Sequence, residues 1–313
     1  MRGLETERTV SNVTIRRTLG IAGALWILVG YPPGSLSAQD SKDSPIPGDV
    51  VRVGRLGVFV PPPGVTVVAY GDFVDGTGEQ LVVETLLDGT VLINPPDPMA
   101  SPSPTVETVA PLATGECDDN YTDVSSKPWA DTMQWWFHSS TTPPTLSVTE
   151  VVTDLRAGTQ NITHEVNTCG RPDTVSATSN YNGSNTLPVN ITNDGVCASN
   201  GDGTSEVGFG TLPSNFIAAT CNWANLFFRT ESDIRFNKNS IYTFTTGSCS
   251  GQFSSSYYVE GIMTHERGHT WNVRDFPSGH PNMTMGDANG QCPGLDDKRT
   301  LGLGDMLSLE LVY

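Results

Sequence analysis

The chain has 313 residues, room for one fair-sized domain and a smaller appendage, and its 37% hydrophobic content is enough for a buried core. Its 34 acidic against 17 basic residues give a net charge of −17. Such a surface repels phosphate backbones and anionic headgroups, which argues against nucleic acid and membrane surfaces as partners.

At the amino terminus Arg16 and Arg17 precede a short apolar run over 19–30, followed by the small residues Ser35, Leu36, Ser37 and Ala38. This outline predicts a signal peptide over residues 1–38, cleaved near Ala38, because the run is well short of the roughly 20 residues that span a bilayer. The mature protein is then expected to be secreted, free of the membrane and monomeric. Cysteine usage agrees: Cys117, Cys169, Cys197, Cys221, Cys249 and Cys292 form no Cys-x-x-Cys pair and predict three disulfides, with the pairing left open.

Residues 39–98 hold alternating apolar stretches separated by Pro-Pro-Pro, Asp-Gly and Gly-Thr-Gly turn signals, and predict a small β-rich propeptide or accessory region. Pro95-Pro96-Asp97-Pro98 and the Pro/Ser-rich stretch over 99–116 read as a stiff linker. The segment before it carries no cysteine, so no thiolate from it can block a metal.

From Cys117 onward the pattern mixes strands and helices. A buried strand is predicted over Thr132–His138, with Trp135 and Trp136 as core, and a helix from about Leu146 to Leu155 capped by Thr145. Short strands are predicted over 173–181, 206–210, 217–221 and 231–237. A sheet flanked by helices, an α+β fold, is the economical assembly. Asn193-Asp194-Gly195 and Asn200-Gly201-Asp202-Gly203 are oxygen-rich turns that could hold Ca2+, although neither has EF-hand spacing. Asn120, Asn161, Asn182, Asn190 and Asn282 head N-x-Ser/Thr triplets, meaningful only in a eukaryotic secretory pathway.

The chemistry concentrates in His265-Glu266-Arg267-Gly268-His269. Tyr258, Ile262, His265 and His269 fall at helical spacing, so both imidazoles share one face, about 40° apart and one turn displaced. Neighbouring imidazoles so placed can chelate zinc. Glu266, about 100° from His265 around the axis, flanks the metal without being forced to bind it. That arrangement suits hydrolysis by a zinc-activated water with Glu266 as general base and acid. Asp275 is the candidate third ligand, provided the helix stops first. Continued helix would carry it about 240° away from His269. Asn272 can end the helix, because Asn tolerates the left-handed conformation, and Pro277 keeps helix from resuming.

The run His265-Glu-Arg-Gly-His269-Thr-Trp-Asn272-Val-Arg-Asp275 resembles the elongated zinc motif HExxHxxGxxH/D of the metzincin metallopeptidases, and Thr284-Met285-Gly286 is similar to their Met-turn. The resemblance covers most of residues 117–313, includes Ser232–Phe236, and comes nearest to secreted bacterial matrixin-like and snapalysin-like enzymes. It implies a metzincin-like domain over 117–313: a twisted, mostly parallel five-stranded sheet with an active-site helix and a carboxy-terminal helix over 303–313. It also implies a zinc endopeptidase acting on proteins or peptides, with Met285 beneath the metal. Two residues depart from the motif: Asn272 stands in place of its glycine, and Asp275 where histidine is commoner, adding negative charge to the ligand set. His280, in a Gly/Pro-rich loop, is a rival third ligand.

An extended substrate would pair with a sheet edge, for which Ile217, Ala218, Ala219 and Thr220 are the candidates. His138 and His164 are isolated. No Gly-x-Ser-x-Gly elbow and no phosphate-binding loop occurs in the sequence. The competing expectation is a secreted binding or adhesion protein that keeps the zinc helix as structure.

Overall fold

The computed structural model describes residues 6–10, 13–17, 44–94, 115–239, 243–247, 256–277, 279–286 and 296–313. The apolar run over 19–30, the Ala38 junction, the linker over 95–114, Cys249 and Cys292 lie outside the described residues.

The described residues form an α+β fold, with one large mixed sheet and, among those residues, three α-helices. A first small sheet begins with β1 (Thr6–Val10), β2 (Val13–Arg17), β3 (Val50–Val53) and β4 (Leu56–Phe59) in antiparallel order. The large sheet follows with β5 (Val65–Phe73), β6 (Gly78–Thr85) and β7 (Val91–Ile93) as an antiparallel meander. Next come β8 (Met133–Phe137) and α1 (Val148–Thr163). They lead to β9 (Ser179–Ser184), β10 (Val196–Cys197), β11 (Ser205–Gly210), β12 (Phe216–Ala224) and β13 (Arg229–Asn237). The described chain closes with β14 (Thr243–Thr245), β15 (Ser256–Tyr258), α2 (Val259–Thr270) and α3 (Leu303–Glu310).

Helix α1 starts later and runs longer than its sequence pattern suggested. Ser147, not Thr145, is the N-cap and accepts from the Glu150 amide, and the apolar stripe of Val151 and Leu155 continues to Ile162. Gly158 on this helix meets α2 at van der Waals range: a Cβ there would fall 2.7 Å from Met263 Cβ and 2.8 Å from the Glu260 carbonyl oxygen. Asn161 joins the two helices, donating to Glu260 Oε1 at 3.1 Å and Thr264 Oγ1 at 3.1 Å, so it is buried rather than displayed as a glycan acceptor.

The large sheet has eight strands in the order β7-β6-β5-β12-β13-β11-β8-β9, which corrects the five-stranded expectation. Five of them, β12 through β9 in that order, come from residues 133–237 and make three parallel pairings and one antiparallel. The other three come from residues 65–93, the segment that composition sets apart as its own β-rich region. The compositional boundary is therefore no boundary in the sheet. The physical reason is an otherwise unpaired edge: β5 runs antiparallel along β12 from Phe73 opposite Phe216 to Thr66 opposite Ala224. For the same reason residues 217–220 are not an edge. Their strand is internal, with β13 on one side and β5 on the other.

Both faces of the central strands β5, β12, β13 and β11 are buried. On one, Trp135, Phe137, Phe209, Ile234 and Phe236 pack against Val151, Leu155, Ile162, Ile262 and Met263 of α1 and α2. On the other, Val51, Leu56, Val58, Val67 and Phe73 pack with Val189, Ile191, Phe216, Ala219 and Trp223. Each fully buried large side chain contributes about 1.5–3 kcal/mol, so this second core holds the early segment on the later one. Disulfides Cys117–Cys169 and Cys197–Cys221 both close within residues 117–313. No helix among the described residues is long and apolar enough to cross a membrane.

Candidate metal centre

Helix α2 is buried along nearly its whole length, and its carboxy-terminal half carries His265, Glu266 and His269. It stops where the sequence says it must. Asn272 adopts φ +73°, the left-handed conformation, and the Val273 amide turns back to the Gly268 carbonyl at 3.0 Å. Arg229 and Trp129 finish the end: Arg229 Nη1 donates to the carbonyls of His269 (2.6 Å) and Thr270 (2.5 Å), and Trp129 Nε1 to that of Thr270 at 3.0 Å. A guanidinium there satisfies orphan carbonyls and complements the helix dipole. Asn272 is strained in this conformation, and both polar atoms of its buried side chain lack partners. Asn272→Gly removes both costs, and is expected to raise the melting temperature by a few degrees, about 1 kcal/mol, in a thermal melt.

The turn after α2 brings Asp275 back beside the two histidines. Asp275 Oδ1 lies 3.1 Å from His265 Nε2 and 3.4 Å from His269 Nε2. His280, the rival, is elsewhere: its Nδ1 pairs with Asp119 Oδ2 at 2.6 Å and its ring packs on Tyr121. Met285 lies beneath the helix, so close that a Cβ on Gly268 would fall 2.1 Å from its sulfur. Asp305 of α3 fixes that turn by accepting from the amides of Thr284 (2.7 Å) and Met285 (3.0 Å).

A fourth group completes the cluster, and it comes from the early segment. Asp72, on β5, places Oδ1 3.1 Å from His265 Nε2. One donor atom from each of Asp72, His265, His269 and Asp275 lies within 4.8 Å of the others, and the first three residues are buried. Sequence reasoning missed Asp72. Nothing local marks it, since an acidic residue near the end of an apolar strand has no motif, and only the β5–β12 pairing carries it to the helix.

The donors fit a metal ion. His265 Nδ1 donates to the Thr284 carbonyl at 2.7 Å and His269 Nδ1 to the Val273 carbonyl at 3.0 Å, which turns both Nε2 lone pairs into the cluster. His269 Nε2 and Asp275 Oδ2 are buried without a hydrogen-bond partner. Three of the six separations, 3.1, 3.1 and 3.4 Å, are near the roughly 3.3 Å edge of a tetrahedron with metal–ligand bonds of about 2.0–2.1 Å, and all six fall within 4.8 Å. Electrostatics agree. Burial works against the charged forms, yet the neighbouring carboxylates raise His265 well above its usual range, and the His269 and His265 rings hold Asp275 far below the carboxylate range. The cluster attracts positive charge at its centre.

Glu266 stands beside the cluster without joining it. Its Oε2 accepts from Thr220 Oγ1 on β12, and its carboxyl also faces that of Asp72. Burial, followed by the charge of Asp72, pushes its carboxyl well above the ordinary range. Thr220 thus orients the candidate base. His138 and His164 lie outside the cluster.

The turns considered for calcium are occupied by protein groups. Asn193 Oδ1 accepts from Arg235 Nη1 at 2.9 Å, Asp194 pairs with Arg52, and Asp202 Oδ1 accepts from its own turn at Thr204. Among the described residues the Asp72–His265–His269–Asp275 cluster is the one place where three or more His, Cys, Asp or Glu side chains bring their donor atoms together. Behind the second turn, burial pushes Glu206 and Glu231 up to about 7, and the Asp233 carboxyl also rises. Acids raised in the folded state contribute stability that is full below the unfolded value of about 4.5 and is lost as pH rises through about 7. Melting temperature is therefore expected to fall from pH 5 to pH 7.5, and Glu231→Gln to flatten that slope in melts across the range.

Compared with known proteins, the chain matches no family model and no curated protein.

Proposed function

We propose that the chain is a secreted zinc-dependent endopeptidase of the metzincin type, acting on proteins or peptides as a monomer. The observation that carries this reading is the pairing of a four-donor cluster with a buried carboxyl that is not one of the donors: Glu266 is held by Thr220 and stands beside the centre against Asp72. The two-imidazole, carboxylate donor set suits zinc. Zinc, when bound, supplies the charge that acidifies a water and polarises a peptide carbonyl. His265, His269 and Asp275 would hold it, with Thr284 and Val273 keeping both rings in the binding tautomer. Glu266 Oε1 would accept the water's proton and return it to the departing amine, with Thr220 fixing the carboxyl's orientation. Support for the metzincin type is the run of five strands from residues 133–237, the helix end at Asn272 and Met285 beneath the helix. Two disulfides support secretion.

A second reading, a binding protein with a structural metal, is favoured by one observation: with Asp72 included the cluster offers four protein ligands, as closed structural sites do. A structural site has no use for Glu266, which speaks for the peptidase. The deciding experiment measures bound metal and digestion of unfolded casein by the zinc-loaded chain and its Glu266→Gln variant. Equal digestion by the two, or no bound zinc, would reject the peptidase reading.

A further inference from the structure

Four of the large apolar side chains exposed among the described residues stand at one end of the large sheet. Leu87 is 72% exposed, Phe227 71%, and Leu226 and Phe228 43% each. Strand register puts them together: Val65 pairs with Thr85, Thr85 with Val91, Thr66 with Ala224, and Ala224 with Arg229. The turns over 61–64, 86–90 and 225–228 therefore leave the sheet side by side. Gly64 approaches Leu87 so closely that a Cβ there would fall 3.1 Å from Leu87 Cδ2. These side chains project from the tips of turns, where they line no groove.

The β12–β13 turn is built to leave water. Asn225 Oδ1 accepts from the amides of Phe227 and Phe228, each at 2.8 Å, and the Asn225 amide donates to the Phe228 carbonyl at 3.0 Å. Backbone groups satisfied inside a turn can enter an apolar medium without the penalty that unpaired ones carry. The four side chains together expose on the order of 400 Å², taking about 150–250 Å² for a whole aromatic side chain. That is about half of the roughly 800 Å² per partner in a stable protein interface, so a second copy or another protein fits it poorly. A lipid interface sets no such minimum, since single aromatic and leucine side chains bury themselves at the boundary of headgroups and acyl chains.

Charge selects the kind of lipid. A net charge of −17 repels anionic headgroups but leaves a zwitterionic surface open. The turns over 61–64 and 225–228 carry no charged side chain, and the third carries Asp88, exposed beside Leu87. A choline headgroup presents a quaternary ammonium, which a carboxylate attracts and which aromatic rings bind through their faces. We propose that this end of the sheet docks on a zwitterionic, choline-bearing lipid surface, with Leu87, Leu226, Phe227 and Phe228 entering the interface and Asp88 staying among the headgroups. The metal centre then works close to that surface. Thr220, which holds Glu266, lies four residues, about 14 Å, from the end of β12 at Ala224. Arg229, the residue after the tip, holds the end of α2 at His269 and Thr270.

The test floats the full chain with phosphatidylcholine vesicles and, in parallel, with vesicles of phosphatidylcholine and phosphatidylglycerol in equal amounts. Leu25→Asn and Ile27→Asn in every chain tested keep the apolar run over 19–30 from partitioning by itself. This parent chain should float with phosphatidylcholine and less with the anionic vesicles. Phe227→Ser and Phe228→Ser together should lower the partition coefficient at least roughly tenfold, about 1.4 kcal/mol. Leu87→Ser should lower it less, and Leu187→Ser, at a leucine 43% exposed in the turn after β9, should leave it unchanged. All these positions are exposed, so each variant should melt with the parent. No flotation of the parent, equal flotation of the double variant, an equal loss in Leu187→Ser, or tighter binding to the anionic vesicles would each overturn the proposal. So would a parent that sediments as a dimer without lipid while the double variant sediments as a monomer, which would assign the tip to a second copy of the chain.

Discussion

Glu266→Gln is expected to lower casein digestion by about 10²–10⁴-fold while leaving bound zinc at the level of the unsubstituted chain. The size follows from what general acid–base catalysis contributes. The specificity follows from geometry: Glu266 is outside the donor cluster, so its charge is dispensable for holding the ion. Glutamine keeps the volume and can still accept from Thr220 Oγ1, so the fold and the helix are undisturbed. It cannot take a proton at neutral pH. Replacing Thr220 by valine should have a smaller effect in the same direction, because it frees the carboxyl's orientation without removing its base. Zinc content by atomic absorption and initial rates of digestion separate these outcomes. A rate for Glu266→Gln within threefold of the unsubstituted chain would remove Glu266 from the chemistry.

The second large effect concerns the metal and stability together. His269 is fully buried, its Nδ1 spent on Val273 and its Nε2 without a partner unless an ion takes it. Saturating zinc at about 1,000 times its dissociation constant should stabilise the folded chain by about 4 kcal/mol, roughly 10 °C in melting temperature for a chain of this size. Chelation with EDTA should reverse that shift, and His269→Ala should abolish it, since one of the two imidazole donors is gone. The variant is also expected to melt below the metal-free unsubstituted chain, because it leaves a cavity against the stacked Tyr70 ring. Calorimetry with and without zinc reads both effects. An undiminished zinc shift in His269→Ala would show that the ion binds elsewhere.

How much of this was legible in advance depends on how local the determinant is. The helix with His265, Glu266 and His269, its end at Asn272 and the return of Asp275 are all written within eleven consecutive residues. Helical geometry, one residue's tolerance of positive φ and a downstream proline suffice to place them. The choice between Asp275 and His280 needed the fold, because it turned on Asp119 and Tyr121, far upstream, claiming His280. Strand positions within 133–237 were read well where apolar residues cluster. The strand expected over 173–181 instead forms at β9, a polar edge whose alternating exposure carries no hydrophobic signal.

What the sequence determined by itself is therefore the chemistry of one helix and its turn: two imidazoles, a base, a carboxylate and the conformations that bring them together. The tertiary structure decided what surrounds that chemistry. It added Asp72, set β5 on β12 where an edge had been expected, and gave Glu266 its partner Thr220. The reason is that strand pairing joins segments by backbone hydrogen bonds that nearly any side chains permit, so which distant strand closes an open edge leaves no motif to read.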